Sequence, residues 1–229
     1  MKNYFSPIIN SYLKLINTIE EKAKNCERNP QDISLVVASK GHSWSEVEPL
    51  YASGQRLFAE SRIQELEGKI IEAPKDVVWH YMGPLQKNKV RKAISMSALI
   101  HSVDSLELAR KIAKCSFEAS LTTNILIQVN TSGERTKQGM TIEECKAACD
   151  EILNFPCIAI QGLMTIAPLT EDKTLIHSCF ASLRKLQETL KECYGAQTFP
   201  HLSMGMSHDY LIAIEEGATL LRIGSAIFA

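Results

Sequence analysis

Leu35-Val36-Val37-Ala38-Ser39-Lys40 is an unbroken apolar run, rich in β-branched residues, that ends in a lysine just before Gly41. A strand buried on both faces reads this way, as parallel strands do when helices cover the sheet. The residue at the carboxyl end of such a strand is expected at the rim of a core, which makes Lys40 the residue to explain. At a rim an ammonium loses part of its solvation, its pKa falls, and the neutral amine becomes a nucleophile towards aldehydes and ketones. A strand-end lysine that merely reaches back into water has the same local sequence, so the rest of the chain has to separate the two readings.

Before the run, Ile8, Tyr12, Leu15, Ile16, Ile19, Ala23 and Cys26 recur at helical spacing, so residues 1–30 are expected to hold one amphipathic helix packed on the rest of the fold. The run itself predicts a strand from Ile33 to Ser39 and a helix around Ser45-Glu46-Val47-Glu48, closed by Gly54. The same alternation then repeats. Strands are expected at Leu57–Ala59, Val77–Tyr81, Ala98–His101, Asn124–Val129, Ile158–Met164, Leu202–Ser203 and Thr219–Ile223. The helices between them include one capped by Ser105 and one opened by the capping-box spacing of Thr141 and Glu144. Strand and helix alternate about eight times at a spacing of about 25 to 30 residues, the signature of a single (β/α)8 TIM-type barrel with an extra N-terminal helix. An open doubly wound sheet is the alternative, but the chain has neither G-x-G-x-x-G nor G-x-x-x-x-G-K-[ST].

The 229 residues, 45% hydrophobic, suffice for one domain of this kind. With 25 basic against 26 acidic side chains no overall field favours nucleic acid or a membrane surface, which leaves a small molecule or another protein as partner. The seven cysteines are odd in number and scattered, as expected of buried free thiols in a reducing compartment. Cys145 and Cys149 lie one turn apart with no histidine near to complete a metal set. Met1 to Phe5 lead into a charged amphipathic pattern rather than a signal peptide, and no run would span a bilayer, so a cytoplasmic location is expected.

In a barrel the site is built from the residues just past the carboxyl end of each strand. That group comprises Lys40, Glu60 and Ser61, Gly83, Ser102 to Asp104, Asn130, Met164 and Thr165, Ser203 to Met206, and Arg222 to Ser225. Ser203, Gly205, Gly224 and Ser225, after the seventh and eighth strands, offer small residues, hydroxyls and backbone N–H groups where barrels commonly bind phosphate. Ser207 reads instead as a cap of the next helix. Arg222 stands among apolar neighbours, where a guanidinium is costly without a partner; Glu215, Glu216 or a ligand ring nitrogen would serve. An amine, a phosphate cradle and an inward arginine together fit pyridoxal 5'-phosphate held as a Schiff base.

The motifs also resemble a known family. They include Leu35 to Lys40, Gly54-Gln55-Arg56, Trp79-His80, Gly83 with Leu85-Gln86 and Asn88-Lys89, and Ile100 to Ser105. Further on come Gln128-Val129-Asn130, Ser132-Gly133-Glu134, Lys137, Gly139, Gly162 to Ile166, Ser203 to Ser207, and Arg222-Ile223-Gly224 with Ala226-Ile227-Phe228. The pattern is similar to that of the pyridoxal phosphate homeostasis proteins, also called the YggS/PROSC family, which share a barrel with the alanine racemase N-terminal domain. The resemblance implies that Lys40 carries pyridoxal 5'-phosphate covalently, that Ser203, Gly205, Gly224 and Ser225 hold its phosphate, and that Arg222 faces its pyridine nitrogen. It further implies a monomer that buffers the cofactor and passes it to apo-enzymes without catalysis. Arginine keeps its proton, so it donates to the ring nitrogen without protonating it and weakens the ring as an electron sink. The chain departs from the family pattern at Ala59-Glu60-Ser61, where Gly-Glu-Asn is usual and Ser61 has less reach towards the cofactor, and at Gly41-His42-Ser43, expected to loosen the loop after Lys40.

Two enzymes compete with this reading. An amino-acid racemase needs a base on each face of a planar carbanion; His80, His101 and Tyr81 are the candidates, and no further domain is expected here to supply one. A lysine-dependent aldolase needs a carboxylic acid near Lys40, for which Glu60 is the candidate. The helix bearing Lys87, Lys89, Arg91 and Lys92 reads as a solvated basic face.

Overall fold

The computed structural model describes residues 7–134 and 137–229. The opening Met1 to Phe5 and positions 135 and 136 in the polar loop before Met140 lie outside the described residues. Eight parallel strands close into a barrel in sequence order: β1 (Ser34–Ala38), β2 (Leu57–Glu60), β3 (Val78–Tyr81), β4 (Leu99–Val103), β5 (Thr123–Gln128), β6 (Ile158–Met164), β7 (His201–Ser203) and β8 (Leu220–Ile223). Helices α2 (Trp44–Ala52), α3 (Ile63–Glu72), α4 (Val90–Met96), α5 (Leu106–Glu118), α6 (Ile142–Leu153), α7 (Lys173–Tyr194) and α8 (Tyr210–Glu215) follow β1 to β7 in turn. The helix α1 (Pro7–Asn25) precedes the barrel and buries Ile9, Tyr12, Leu15, Ile19 and Ala23 as one stripe. A four-residue turn of helix, α9 (Ser225–Phe228), follows β8 and packs near α1. It is too short for any periodicity in the sequence to mark it.

Two cores result from the twofold alternation of the strands. Val36, Ala59, Leu99, Leu126, Met164 and Leu220 fill the barrel. The intervening residues, such as Val37, Phe58, Ile100, Ile125 and Ile127, join the helices in the larger outer core. Caps agree with the spacing: the Ser105 hydroxyl accepts from Leu108 N–H and Thr141 forms a full capping box with Glu144. The helix expected to bear Lys87, Lys89, Arg91 and Lys92 is a 3-10 turn at Lys87–Lys89 running into α4 (Val90–Met96), with Lys87, Arg91 and Lys92 ion-paired at the surface to Glu107, Glu118 and Glu67. All seven cysteines are free; Cys115, Cys145, Cys149 and Cys179 are buried, whereas Cys193 is exposed. Among the described residues no helix is long and apolar enough to cross a membrane.

Closure brings β8 against β1, with Val36 paired to Arg222 and Val37 to Ile223. One residue further, Gly224 packs so tightly on Ala38 that a Cβ there would lie 2.7 Å from the Ala38 carbonyl oxygen. The loop after β8 therefore abuts the strand that leads to Lys40.

Candidate cofactor site at the barrel mouth

Lys40 stands two residues past β1 and is exposed, not partly desolvated as its apolar run suggested, because the strand ends at Ala38 and Gly41 turns the chain at φ +81°. Its backbone, by contrast, is held on both sides by α3. Lys69 Nζ donates to the Ser39 carbonyl at 2.7 Å, and Gly41 N–H donates to Glu65 Oε2 at 3.4 Å. Ser39 N–H donates to Ala59 across the β1–β2 ladder. Lys69 owes its position to a buried ion pair with Glu60, whose Oε1 also accepts from the Ser39 hydroxyl at 2.7 Å. Glu60 is thereby committed to the outer side of the barrel wall, not to the role of a relay acid beside Lys40. Its Oε2 is buried and has no partner among the described residues. Neither Lys69 nor this pairing is among the residues singled out from sequence; Lys69 lies on the buried stripe with Ile63 and Leu66, which was the available signal.

The Gly41-His42-Ser43 segment is ordered by contacts. His42 N–H donates to the Ser39 carbonyl, the His42 ring stacks on Phe228 of α9 with centroids 4.1 Å apart, and Ser43 N–H donates to Glu46 at 2.7 Å. The loop expected to be loose is thus tied to the loop after β8.

Ser61 is half-buried just past β2, and its carbonyl accepts from the Tyr81 hydroxyl at 3.2 Å. Gly83 presses against it so closely that a Cβ would sit 1.9 Å from that oxygen. Gly224 and the exposed Ser225 open α9 at the mouth. Gly205, at φ +94°, is buried; a Cβ would lie 2.6 Å from that of Ala213, and its carbonyl accepts from Arg222 N–H. Gly205 is therefore required by packing. Ser207 does not cap α8, whose N-cap is Asp209; its hydroxyl instead accepts from Ala226 N–H at 3.1 Å and joins the loops after β7 and β8.

Inside the barrel Arg222 is 5% exposed and Ser203 fully buried. Nη1 of Arg222 donates to the Ser203 hydroxyl at 2.6 Å and Nη2 to the Thr165 carbonyl at 2.9 Å. The carboxylates named as its partners lie elsewhere: Glu215 pairs with Lys22 and His177, Glu216 with His177 and Arg184. No ion pair among the described residues includes Arg222. Burial pushes its pKa down to about 10, against the pull of the Asp209 charge. His101 and His80 are not at the mouth either. His101 Nδ1 lies 2.9 Å from Ser203 Oγ, and its Nε2 lies 2.9 Å from His80 Nδ1. Burial depresses both imidazoles, His80 to about 4, with nearby His201 adding to the effect. The arrangement combines a reachable amine on an immobilised backbone, a small-residue loop beside it, and a buried cation hydrogen-bonded only to neutral groups.

Comparison with known proteins narrows the identity. Residues 15–229 match the family model described as alanine racemase, N-terminal domain. A pyridoxal phosphate homeostasis protein of Aquifex aeolicus is 39% identical over 225 residues, covering 96% of this chain and 98% of that one. Another, from Pseudomonas aeruginosa, is 36% identical and covers 97% and 95%.

The chain belongs to the pyridoxal phosphate homeostasis protein family. The solved structure of PipY, the COG0325 family member of Synechococcus elongatus PCC7942, with PLP bound, superposes with a TM-score of 0.81 at 33% identity, over 92% of this chain and all of that one.

Proposed function

We propose that this chain binds pyridoxal 5'-phosphate through a Schiff base on Lys40 and serves vitamin B6 homeostasis as a non-catalytic carrier. Arg222 is the observation that carries the reading. A buried guanidinium with no ion pair among the described residues is a costly arrangement that an electron-rich acceptor relieves, and the pyridine nitrogen is such an acceptor. The residues fit the group: Lys40 offers the amine, while Ser225 and the Gly224 backbone receive the phosphate, with Ser61 past β2 on the far side of β1. Gly205 shapes the phosphate loop by packing. Ser203, its hydroxyl engaged by Arg222 and His101, acts through the arginine rather than on the phosphate. When bound, the cofactor contributes an aldehyde that links reversibly to an amine and a ring whose electron demand depends on its nitrogen. Arg222 donates to that nitrogen and keeps its own proton, which favours storage over carbanion chemistry. The histidines that a racemase would recruit are bonded to one another inside the barrel, which also favours the carrier. As a carrier the protein acts as a cytoplasmic monomer and passes its cargo to apo-enzymes.

Borohydride reduction of protein mixed with pyridoxal 5'-phosphate, followed by peptide mass spectrometry, tests the reading. The added mass is expected on Lys40, and Lys40→Ala should stay colourless. Modification confined to another lysine overturns the assignment, and exchange of the α-proton of alanine in deuterated buffer would restore the racemase.

A further inference from the structure

Ser203 is fully buried, and a buried hydroxyl must give its hydrogen to an acceptor. Among the described residues two side-chain nitrogens lie within reach, Nη1 of Arg222 at 2.6 Å and Nδ1 of His101 at 2.9 Å. A guanidinium nitrogen only donates, so the hydrogen goes to His101 Nδ1. That nitrogen is then bare, and neutral His101 carries its proton on Nε2, from which it donates to His80 Nδ1 at 2.9 Å. His80 in turn carries its proton on Nε2. The chain of hydrogen bonds therefore has one direction, from Arg222 on β8 through β7 and β4 to His80 on β3. His80 also lines a cavity of about 290 Å³ with Asn124, Gln161 and His201, at the end of the barrel where the strands begin. The opposite orientation would bring two donors onto the Ser203 oxygen and leave its own hydrogen without an acceptor.

We propose that His101 is a positioning residue for Arg222: by accepting the Ser203 hydrogen it turns a hydroxyl lone pair onto Nη1 and fixes the guanidinium at the angle from which it meets the cofactor ring. The proposal rests on the reading that Arg222 faces that ring. With Nη2 held by the Thr165 carbonyl, two neutral acceptors orient the guanidinium without cancelling its charge. A carboxylate in place of the hydroxyl would orient it equally well but neutralise it. Burial chiefly keeps both rings neutral, and the charged or titratable groups that add to it are His80, Arg222 and His201 at His101 and His201 at His80.

Histidine-selective 15N NMR of the protein without added cofactor tests the hydrogen-bond direction by itself. At pH 7 both Nδ1 atoms are expected to be unprotonated, and both rings to remain neutral at pH 5.5; a proton on His101 Nδ1, or an imidazolium at either site, overturns the proposal. Absorption titration with pyridoxal 5'-phosphate then tests positioning. His101→Leu should weaken binding roughly tenfold and shift the bound band, because one hydrogen bond to a charged group is misdirected. His101→Gln, whose amide oxygen can take the same hydrogen, should restore both. Ser203→Ala, which leaves the histidine in place, should reproduce the loss even if His101→Leu fails to fold. Wild-type affinity and band in both His101→Leu and Ser203→Ala would refute positioning. A wild type that forms no coloured adduct would refute the Lys40 reading instead, with the NMR still deciding the direction of the hydrogen bonds.

Discussion

Lys69 and Arg222 are both buried cations, 6% and 5% exposed, yet among the described residues only Lys69 forms an ion pair. Lys69 points into the outer core and meets Glu60, the Ser39 hydroxyl and the Ser39 carbonyl, so its charge is used up in bracing the backbone beside Lys40. Arg222 points into the barrel and meets a hydroxyl and a carbonyl, both neutral. Where a buried charge has its counter-charge in the same chain, the pair is architecture. Where it has only oriented dipoles, the field remains available to whatever enters, and the site is identified by that surplus.

The largest expected effect tests this difference directly. Lys69→Met strands the Glu60 carboxylate in the outer core and should cost about 3 to 5 kcal/mol in urea unfolding, whereas Lys69→Met with Glu60→Leu should recover most of it. Arg222→Met removes a charge that is in no ion pair and leaves Asp209 its Met206 N–H partner, so it should cost well under half as much; equal losses would erase the contrast. The next effect is set by pH. Because burial holds folded His80 near 4 against an ordinary 6.5, the unfolded chain binds the extra proton between those values. Stability should therefore be flat above about pH 6.5 and fall as pH drops towards 4, by about 3 kcal/mol from this residue. A urea midpoint series should show that slope diminished in His80→Gln; an identical slope would mean that the ring at the end of the Arg222 hydrogen-bond chain is not held neutral. The smallest effect concerns the link between the two regions. His42→Ala removes the stack that joins the Lys40 loop to α9 and should cost about 0.5 to 1 kcal/mol by thermal unfolding, while His42→Phe should keep it. Equal stability of the two variants would make the regions independent.

The elements were legible because each obeys a local rule. A doubly buried strand such as Val36 to Ala38 has to be apolar at every position, and a surface helix such as α1 only on one stripe. Strand ends were less legible: β4 continues to Val103, so Ser102 lies within the wall and its hydroxyl donates to the Gly83 carbonyl rather than facing the mouth. Polar partners were the least legible. Glu215 and Glu216 are near Arg222 in sequence but belong to α8 and its C-cap, on the outer layer, while Ser203 and Thr165, its real partners, come from β7 and the end of β6. Ser207 likewise satisfies a donor on a different loop.

The succession of wholly apolar strands and one-striped helices determined the barrel and the set of loops from which a site must be drawn, since period and burial are properties of consecutive residues. Which hydroxyl, imidazole or carboxylate answers which cation was decided only when closure set β8 beside β1 and turned Ser203, His101 and His80 towards one another. Hydrogen bonds depend on separations of a few ångströms, and His101 and Ser203 meet from 102 positions apart, a distance that no local pattern encodes.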